Sequence, residues 1–474
     1  MQHFVELSHQ FKGFLFYDDS IIHQTQLMAY ATDATVYQEK PLAVSIPKDV
    51  DDLKLLINFA TKHHVTLIPR AAGTSLAGQV VGNGIVVDIS KFFCEIIEVN
   101  ETEKWVRVQP GVIRDDLNKH LKPYGLMFGP ETSTANRAMI GGMVGNNSCG
   151  LHSIVWGNVR DHLLEAKVLL SDGNEYLIDE NLTSRSVSSN GFADKIISAL
   201  EALLSNEQHQ QAIEANFPKA SISRRNSGYA LDAVLKMKPF NAEGNNLNLC
   251  ALLAGSEGTL AFSTELKLNL IDLPPAHTAL VCVHTNTIDD ALWANIIALK
   301  QQPTASELVD KFICDFTIGH PEYQQHRFFM MGDPAAILMV EFMEHSQDVL
   351  QNKVDSLIAE LKLAGNGYAY KVLVGKEIHS AWEIRKAGLG LLRNLKGDAQ
   401  PVNLIEDCAV STDELPAYVR DLQVILDRHK VTASYYAHAG AGELHIEPIL
   451  NLKSEEGRKL FRLILQETAV LVKK

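Results

Sequence analysis

Hydrophobic and polar positions repeat along this chain with two periods, and their order sets out the expected elements. Short apolar runs at Ala43–Ile46, Val65–Ile68 and Ile85–Ile89 read as strands. Between the first two, Val50, Leu53, Leu56, Ile57 and Ala60 recur at helical spacing behind Asp49–Asp52, whose side chains suit a helix N-terminus. Residues 1–38 read as a helical lead-in. Ile96–Val99 and Trp105–Val108 read as paired strands, Arg114–Leu121 as a helix, and Leu163–Leu170 with Glu175–Ile178 as a hairpin turned at Asp172-Gly173. Residues 180–250 read as mostly helical and polar. The run LCALLAG reads as a strand, followed by a glycine turn and a further strand.

Pro274-Pro275 marks the expected domain boundary, giving domains 1–272 and 273–474. Beyond it, strands at Thr278–His284, Ala336–Glu341 and Tyr368–Val374 alternate with helices at Ile288–Leu299 and Ser346–Ala364. Helical WEIRKAGLGLLRNLK, a strand at Val402–Ile405, a helix at Leu415–His429, YYAHAGAGELHIEPIL and a last helix at Ser454–Lys474 follow. This alternation predicts an α+β domain with helices on one face of an antiparallel sheet.

Composition narrows the class. A chain of 474 residues with 46% hydrophobic and 21% charged residues can bury large cores in two or more domains. A net charge of −14 argues against a nucleic-acid surface. No basic segment followed by an apolar core opens the chain, and no apolar run reaches spanning length, so neither a signal peptide nor a membrane span is expected. The six cysteines are scattered without a C-x-x-C pair, which suits free thiols in the cytoplasm and gives no iron–sulfur or structural zinc pattern within these residues.

Three stretches of small residues carry the candidate chemistry. The first, between two strands, holds Pro69, Arg70, Ala71, Gly73, Thr74, Ser75 and Gly78. Glycines allow close backbone approach, and successive N–H groups form a concave anion site, for which a pyrophosphate is the natural guest. Neither a P-loop nor the G-x-G-x-x-G fingerprint is present, and alone the stretch is equally a glycine-rich hairpin. The second holds Gly141, Gly142, Asn146, Asn147, Ser148 and Gly150, with Gly129, Pro130, Glu131 and Ser133 ahead of it; the third is Glu257, Gly258 and Thr259.

The segments PRAAGTSLAGQ, QPGVIRDDL, FGPETS, IGGMVGNNSCG, GSEGTLAFSTEL, WEIRKA, LIEDCAV and HAGAGELH follow one another across residues 40–450. In this order they resemble the FAD-linked oxidase and D-2-hydroxy-acid dehydrogenase family, of the D-lactate dehydrogenase, D-2-hydroxyglutarate dehydrogenase and glycolate oxidase flavin-subunit type. The resemblance implies a two-subdomain FAD-binding domain of the vanillyl-alcohol-oxidase type and an α+β substrate (cap) domain with an antiparallel sheet. It implies that the three small-residue stretches hold FAD. With no His or Cys in the first stretch, the flavin is expected to be non-covalent; Cys149 in the second matches a family position that forms no bond.

The same resemblance implies the reaction. A small D-2-hydroxy acid, D-2-hydroxyglutarate or D-lactate-like, would be oxidised to the 2-oxo acid by hydride transfer to flavin N5. Electrons would pass to a non-NAD acceptor such as a quinone, a carrier protein or an iron–sulfur module. Arg385 is the expected carboxylate clamp, since guanidinium binds carboxylate bidentately; a surface arginine is the plainer alternative. His438 and His445 would be catalytic and hold a divalent metal, Zn, Fe or Mn, that polarises the substrate hydroxyl. Two histidines can also be purely structural.

Three departures from the family pattern stand out: Ala441 replaces Asp, Glu443 replaces Asn with Glu447 close by, and a Gly-Glu-His-Gly motif is absent before Lys474. His429 and His379 are the nearest substitutes for its histidine. The chain is therefore expected to be the front part of a longer flavin/iron–sulfur fusion. The alternatives are a FAD transferase of the alkyl-dihydroxyacetonephosphate synthase type, or a flavin-binding module inactive without its remaining part. The oligomeric state stays open, with a homodimer as one option.

Overall fold

The computed structural model describes residues 2–182 and 191–474, so part of the 180–250 stretch read as helical lies outside the described residues. The chain divides into two units. The first comprises residues 1–149, 157–218 and 226–273; the second comprises 150–156, 219–225 and 274–474.

The first unit holds two larger sheets and a two-stranded pair, Leu126–Met127 with Ile271–Asp272. A four-stranded sheet runs Phe14–Phe16, Ala43–Ile46, Ile85–Asp88, Leu67–Arg70. The helix Val50–His63 begins where Asp49 accepts a hydrogen bond from the Asp52 N–H, and it buries Leu53, Leu56 and Ile57. The strands Leu67–Arg70 and Ile85–Asp88 are parallel neighbours. Residues 71–84 are therefore a crossover between parallel strands and not a hairpin. Parallel pairing forces such a connection to travel the length of the sheet before re-entering it.

The second sheet of this unit has five antiparallel strands in the order Ile96–Asn100, Trp105–Val108, Phe262–Asn269, Leu163–Leu169, Glu175–Ile178. The expected strand at LCALLAG is instead the short helix Cys250–Leu253. Alanine and leucine favour helix and no β-branched residue opposes it, while Asn248 Oδ1 accepts from the Cys250 N–H at 3.0 Å and starts the turn.

The second unit is built on an eight-stranded sheet. Its order is Ala369–Val374, His277–Thr285, Ala336–Glu344, Ala305–Asp310, Ala433–His438, Glu443–Leu450, Gln400–Pro401, with Ile405–Ala409 also paired to Glu443–Leu450. Every pairing is antiparallel. Alternation along these strands sorts two cores. Val281, Val283, Leu308, Leu338, Val340, Ala437, Leu444 and Ile446 meet the helices Ile288–Leu299, Gln347–Ala364, Leu415–Arg428 and Glu455–Lys473. Leu280, Cys282, Val309, Ile337, Met339 and Tyr436 face the helices Lys311–Phe316 and Lys376–Leu392.

Helices thus cover both faces of the sheet, not one. Its central strands are apolar on both sides, and a sheet with two apolar faces needs two layers over it. The strand expected at Val402–Ile405 lies further on, at Ile405–Ala409. The strand Ala305–Asp310 carries no expectation from the sequence. Among the described residues no helix is long and apolar enough to cross a membrane.

Candidate functional site

In the first unit the crossover 71–84 is shaped by its small residues. Gly73 has φ +65°, and a Cβ there would lie 2.7 Å from Arg70 Nη2. Arg70 itself is engaged with the scaffold: its Nη1 donates to the Thr32 carbonyl at 3.0 Å and its guanidinium stands over the Tyr30 ring. Ser75 Oγ reaches Asp33 Oδ2 at 3.4 Å. Among the described residues, the backbone N–H groups of Gly73, Thr74, Ser75 and Leu76 donate to no protein acceptor. A run of unsatisfied N–H groups on a small-residue loop is a ready anion cradle.

The other small-residue stretches close on the same strand end. A Cβ on Gly142 would lie 3.1 Å from the Ala71 Cβ, and one on Gly258 would lie 3.1 Å from Pro69 Cγ. The Glu257 N–H donates to the Gly145 carbonyl at 2.8 Å, and the Gly255 N–H to Val144 at 2.9 Å. Gly141 N–H donates to the Pro110 carbonyl at 2.7 Å. Pro69, Ala71, Gly142, Gly145, Glu257 and Gly258 are thereby brought together. Thr259 Oγ1 is committed to Tyr229 Oη at 2.7 Å and to the Ser256 carbonyl.

Two expected cofactor residues serve the scaffold. Asn147 caps the helix Ile140–Asn146 at φ +51°, and its buried amide donates to Asn226 Oδ1 at 2.8 Å while accepting from the Arg160 N–H at 2.8 Å. Asn146 Nδ2 donates to Ser148 Oγ at 3.0 Å. Arg114 Nε holds the Pro130 carbonyl at 3.1 Å and so fixes the Gly129-Pro130 turn; Glu131 beyond it is half-buried and Ser133 exposed. Gly150 belongs with the second unit, where its carbonyl accepts from Arg224 Nη2 at 2.6 Å.

In the second unit, strand alternation collects a polar cluster on the face covered by Lys376–Leu392. The strands Ala433–His438 and Glu443–Leu450 pair so that His438 stands opposite Glu443, Tyr436 opposite His445, and Ser434 opposite Glu447. On the adjoining strand, Glu307 reaches His438, with Oε1 at 2.9 Å from Nδ1. On the other side, the pairing of Ile405–Ala409 with Glu443–Leu450 is irregular between Ile405 and Cys408, and Asp407 sits at φ +55°. Such a bulge re-aims side chains: Glu406 Oε2 lies 2.5 Å, and Asp407 Oδ1 3.2 Å, from His445 Nδ1.

Arg385, on the covering helix, gives its Nε to Glu307 Oε2 at 3.0 Å and stands over the Tyr436 ring. Its Nη2 is buried and lies 2.8 Å from the same Glu307 oxygen, as an ion pair. Arg224 gives Nη1 to Glu443 Oε2 at 2.5 Å, Nη2 to Gly150 O and Ser153 Oγ, and Nε to Ser153 Oγ. Both rings of the histidine pair have Nδ1 held by a carboxylate, with ring centroids 5.1 Å apart. Ligand atoms of His438, Glu443 and His445 lie within 4.8 Å of one another.

Electrostatics set the protonation of this cluster. Burial, followed by the Arg224 and Arg385 guanidiniums, holds His438 well below the usual imidazole range. Burial would lower His445 too, but the Glu406 carboxylate overrides it and raises the ring to about 9. Burial pushes Glu307 up to about 7 against the pull of Arg385 and Arg224. Burial would likewise raise Glu443, yet Arg224 holds it down at about 2. In the neighbouring pair, Glu406 is lowered by His445, and Glu447 is raised by burial and by Glu406.

Sequence reasoning named Arg385, His438 and His445, which lie in this one cluster. It missed Glu307 and Arg224 altogether and drew no role from Glu406 or Asp407 within LIEDCAV. Strand alternation was the available signal for Glu307, and nothing local marks Arg224.

Comparison with known proteins gives two family matches. A family model described as "FAD binding domain" matches residues 41–177, and one described as "FAD linked oxidases, C-terminal domain" matches residues 274–474. A D-2-hydroxyglutarate dehydrogenase of Haemophilus influenzae is 32% identical over 96% of this chain and 45% of its own length. The protein of that name from Escherichia coli K12 is 31% identical over 97% of this chain and 46% of its own length. The chain thus spans about half the length of these curated relatives. Glycolate oxidase subunit GlcD of Bacillus subtilis is 25% identical over 88% of this chain and 75% of its own length.

Among solved structures, an alkyldihydroxyacetonephosphate synthase matches with a TM-score of 0.65 at 16% identity, over 99% of this chain and 81% of that one. A 4-ethylphenol oxidase from Gulosibacter chungangensis matches with a TM-score of 0.62 at 14% identity, over 98% of this chain and 86% of that one. At such identities the likeness establishes the fold, which is that of the vanillyl-alcohol-oxidase-type flavoenzymes.

Proposed function

Because the chain belongs to the FAD-linked oxidases, with FAD as the cofactor of its first unit, we propose that it oxidises a D-2-hydroxy acid to the 2-oxo acid, with D-2-hydroxyglutarate as the first substrate to try and D-lactate as the second. The names of the relatives supply the substrate class. The observation that carries the reading is the Arg385 guanidinium, buried beside two carboxylate-held histidines and ion-paired with Glu307. Burial pushes Glu307 up to about 7, so a substrate carboxylate can compete with it for the guanidinium.

The unsatisfied N–H run at 73–76 and the meeting of Ala71 with Gly142 fit a pyrophosphate and a flat ring against a small-residue wall. Bound there, FAD supplies the acceptor for the hydride that leaves C2 of the substrate. In this reading Arg385 binds the C1 carboxylate and orients the C2–H bond. Glu307 fixes the tautomer of His438 with the proton on Nδ1, so that Nε2 is an acceptor. Glu406 holds Nδ1 of His445 and so orients that ring. The low pKa of His438 keeps its ring neutral, suited to accept a hydrogen bond from the C2 hydroxyl.

A divalent cation also belongs to this reading. Two imidazoles with Nδ1 held by carboxylates are the usual setting of metal-ligating histidines, and they would present Nε2 to Zn, Fe or Mn. Such a cation supplies Lewis-acid polarisation of the hydroxyl. Electrons leave to a non-NAD acceptor: a quinone, a carrier protein or an iron–sulfur module.

The test is the anaerobic visible spectrum of the purified protein, before and after D-2-hydroxyglutarate, D-lactate and their L-enantiomers. Bleaching of oxidised flavin by a D-acid and not by its enantiomer is expected. Flavin that is bound but bleached by none of the four would refute the proposed substrate class.

A further inference from the structure

We infer that Glu443 is the third ligand of the cation site at His438 and His445, and that Arg224 is the residue that holds its carboxylate for that role. This rests on the two-histidine cation reading given above and goes beyond it.

The first argument is register. His438 and Glu443 are direct cross-strand partners, joined by the tight turn Ala439–Ala441 and by Gly442. His445 stands two residues beyond Glu443 on the same strand, and side chains two apart share a face. One hairpin therefore puts two imidazoles and a carboxylate on one side, with ligand atoms within 4.8 Å of one another. A short closure brings such a set onto one ion, without moving an element of the fold.

The second argument is the way Glu443 is held. Arg224 Nη1 donates to Oε2 at 2.5 Å. The rest of its fork is spent on Gly150 O and Ser153 Oγ, so the arginine is fixed from behind and acts as an orienting post. Ligating carboxylates are themselves usually hydrogen-bonded in this manner. Both side chains are buried, at 5% and 3% exposure. Asp407 hydrogen-bonds the same carboxylate, so a cation at the histidines would take the place of that contact.

The donor set selects the ion. Two imidazole nitrogens and one carboxylate suit Zn, Fe(II), Mn(II) or Co(II), and offer too few oxygens for Ca or Mg. Three ligands from one hairpin leave coordination positions for a hydroxyl and a carboxylate of a substrate.

The experiment uses the whole chain with its flavin, stripped by a chelator and reloaded with Co(II), a spectroscopic stand-in for the native ion. Cobalt per chain is measured by elemental analysis, affinity by competition with a chelating dye, and geometry by the visible d–d bands. Wild type should take up one cobalt. Glu443→Gln keeps the size of the side chain and an acceptor for Arg224; it should weaken cobalt affinity roughly tenfold or more and change the d–d bands. Arg224→Met should bind cobalt more weakly than wild type and with altered d–d bands, because Glu443 loses the post that orients it. Cobalt binding by Glu443→Gln with wild-type affinity and bands, while His445→Ala loses it, would overturn the role of Glu443 and leave the two-histidine reading standing. No cobalt uptake by wild type would overturn both. If Glu443→Gln does not fold, Arg224→Met decides alone: cobalt affinity and bands equal to those of wild type refute the inference.

Discussion

Gly442 is where the hairpin bearing the histidines is most exposed to a single methyl group. It sits at φ +72°, and a Cβ there would lie 2.1 Å from the Val410 carbonyl oxygen. Two costs add in Gly442→Ala. The left-handed conformation costs an L-residue roughly 1–2 kcal/mol. The overlap cannot be relieved by a rotamer, because the obstacle is backbone. The strands must part by about 1 Å to reach an ordinary contact distance. That breaks the 2.9 Å bond from the Val410 N–H to the Gly442 carbonyl, worth about 1 kcal/mol net, and leaves buried polar groups unpaired. The sum is about 3–5 kcal/mol, with the movement centred between His438 and Glu443. Gly365→Ala is the control: Gly365 has φ +75°, but nothing lies within 4 Å of its Cβ position. It should lose only the conformational term, about 1–2 kcal/mol. Urea unfolding followed by circular dichroism compares the two. If Gly442→Ala unfolds within about 1 kcal/mol of Gly365→Ala, the steric reasoning about this turn is wrong.

Other outcomes follow from the same geometry. Asp310 is buried, accepts from the Tyr435 N–H at 2.7 Å, and is pushed by burial from 3.8 up to about 6. A raised carboxyl stabilises the fold fully below its unfolded pKa, and that contribution is lost as pH rises through 6. Relative to Asp310→Asn, which does not titrate, wild type should lose about 2 kcal/mol of stability between pH 4 and pH 7; parallel stability–pH curves would rule this out. Arg385→Lys surrenders the Nε contact to Glu307 and the planar fork, so half-saturation for flavin reduction by the D-acid should rise about 100-fold. An unchanged value in anaerobic stopped-flow would remove Arg385 from the substrate. Asn147→Ala loses the bonds to Asn226 and Arg160 and leaves alanine at φ +51°; a loss of about 2–4 kcal/mol and easier release of FAD on dilution are expected. Retention of FAD equal to wild type, by fluorescence of the filtrate, would count against it.

Much of this was legible in the sequence because it concerns local requirements. The small-residue stretches announce themselves: close approach excludes side chains, and Gly142 against Ala71 shows the constraint in three dimensions. Arg385, His438 and His445 stand in short segments whose residue order carries the resemblance. What escaped depends on pairing partners far along the chain. The crossover at 71–84 and a hairpin look alike until the strand between Leu67–Arg70 and Ala43–Ile46 is known. The strand Ala305–Asp310 mixes polar and apolar residues on both faces, with Glu307 on one and Ser306 and Asp310 on the other, so no clean alternation marks it. Glu406 and Asp407 owe their direction to a bulge that only the partner strand creates. Arg224 meets Glu443 across 219 residues.

The short excursions 150–156 and 219–225 have a practical meaning for anyone who would cut this protein. The C-terminal family match begins at residue 274 and invites expression of everything from there onward as a module. Such a fragment would leave behind Arg224, the counter-ion of Glu443, and His152, which lies 2.6 Å from Glu341. It would keep two interior acids and discard the bases that answer them. The sheet would be intact in sequence and unbalanced in charge. A workable excision must carry both strips of chain with it, by permuting or splicing them on, since the second unit is continuous in space and not along the polypeptide.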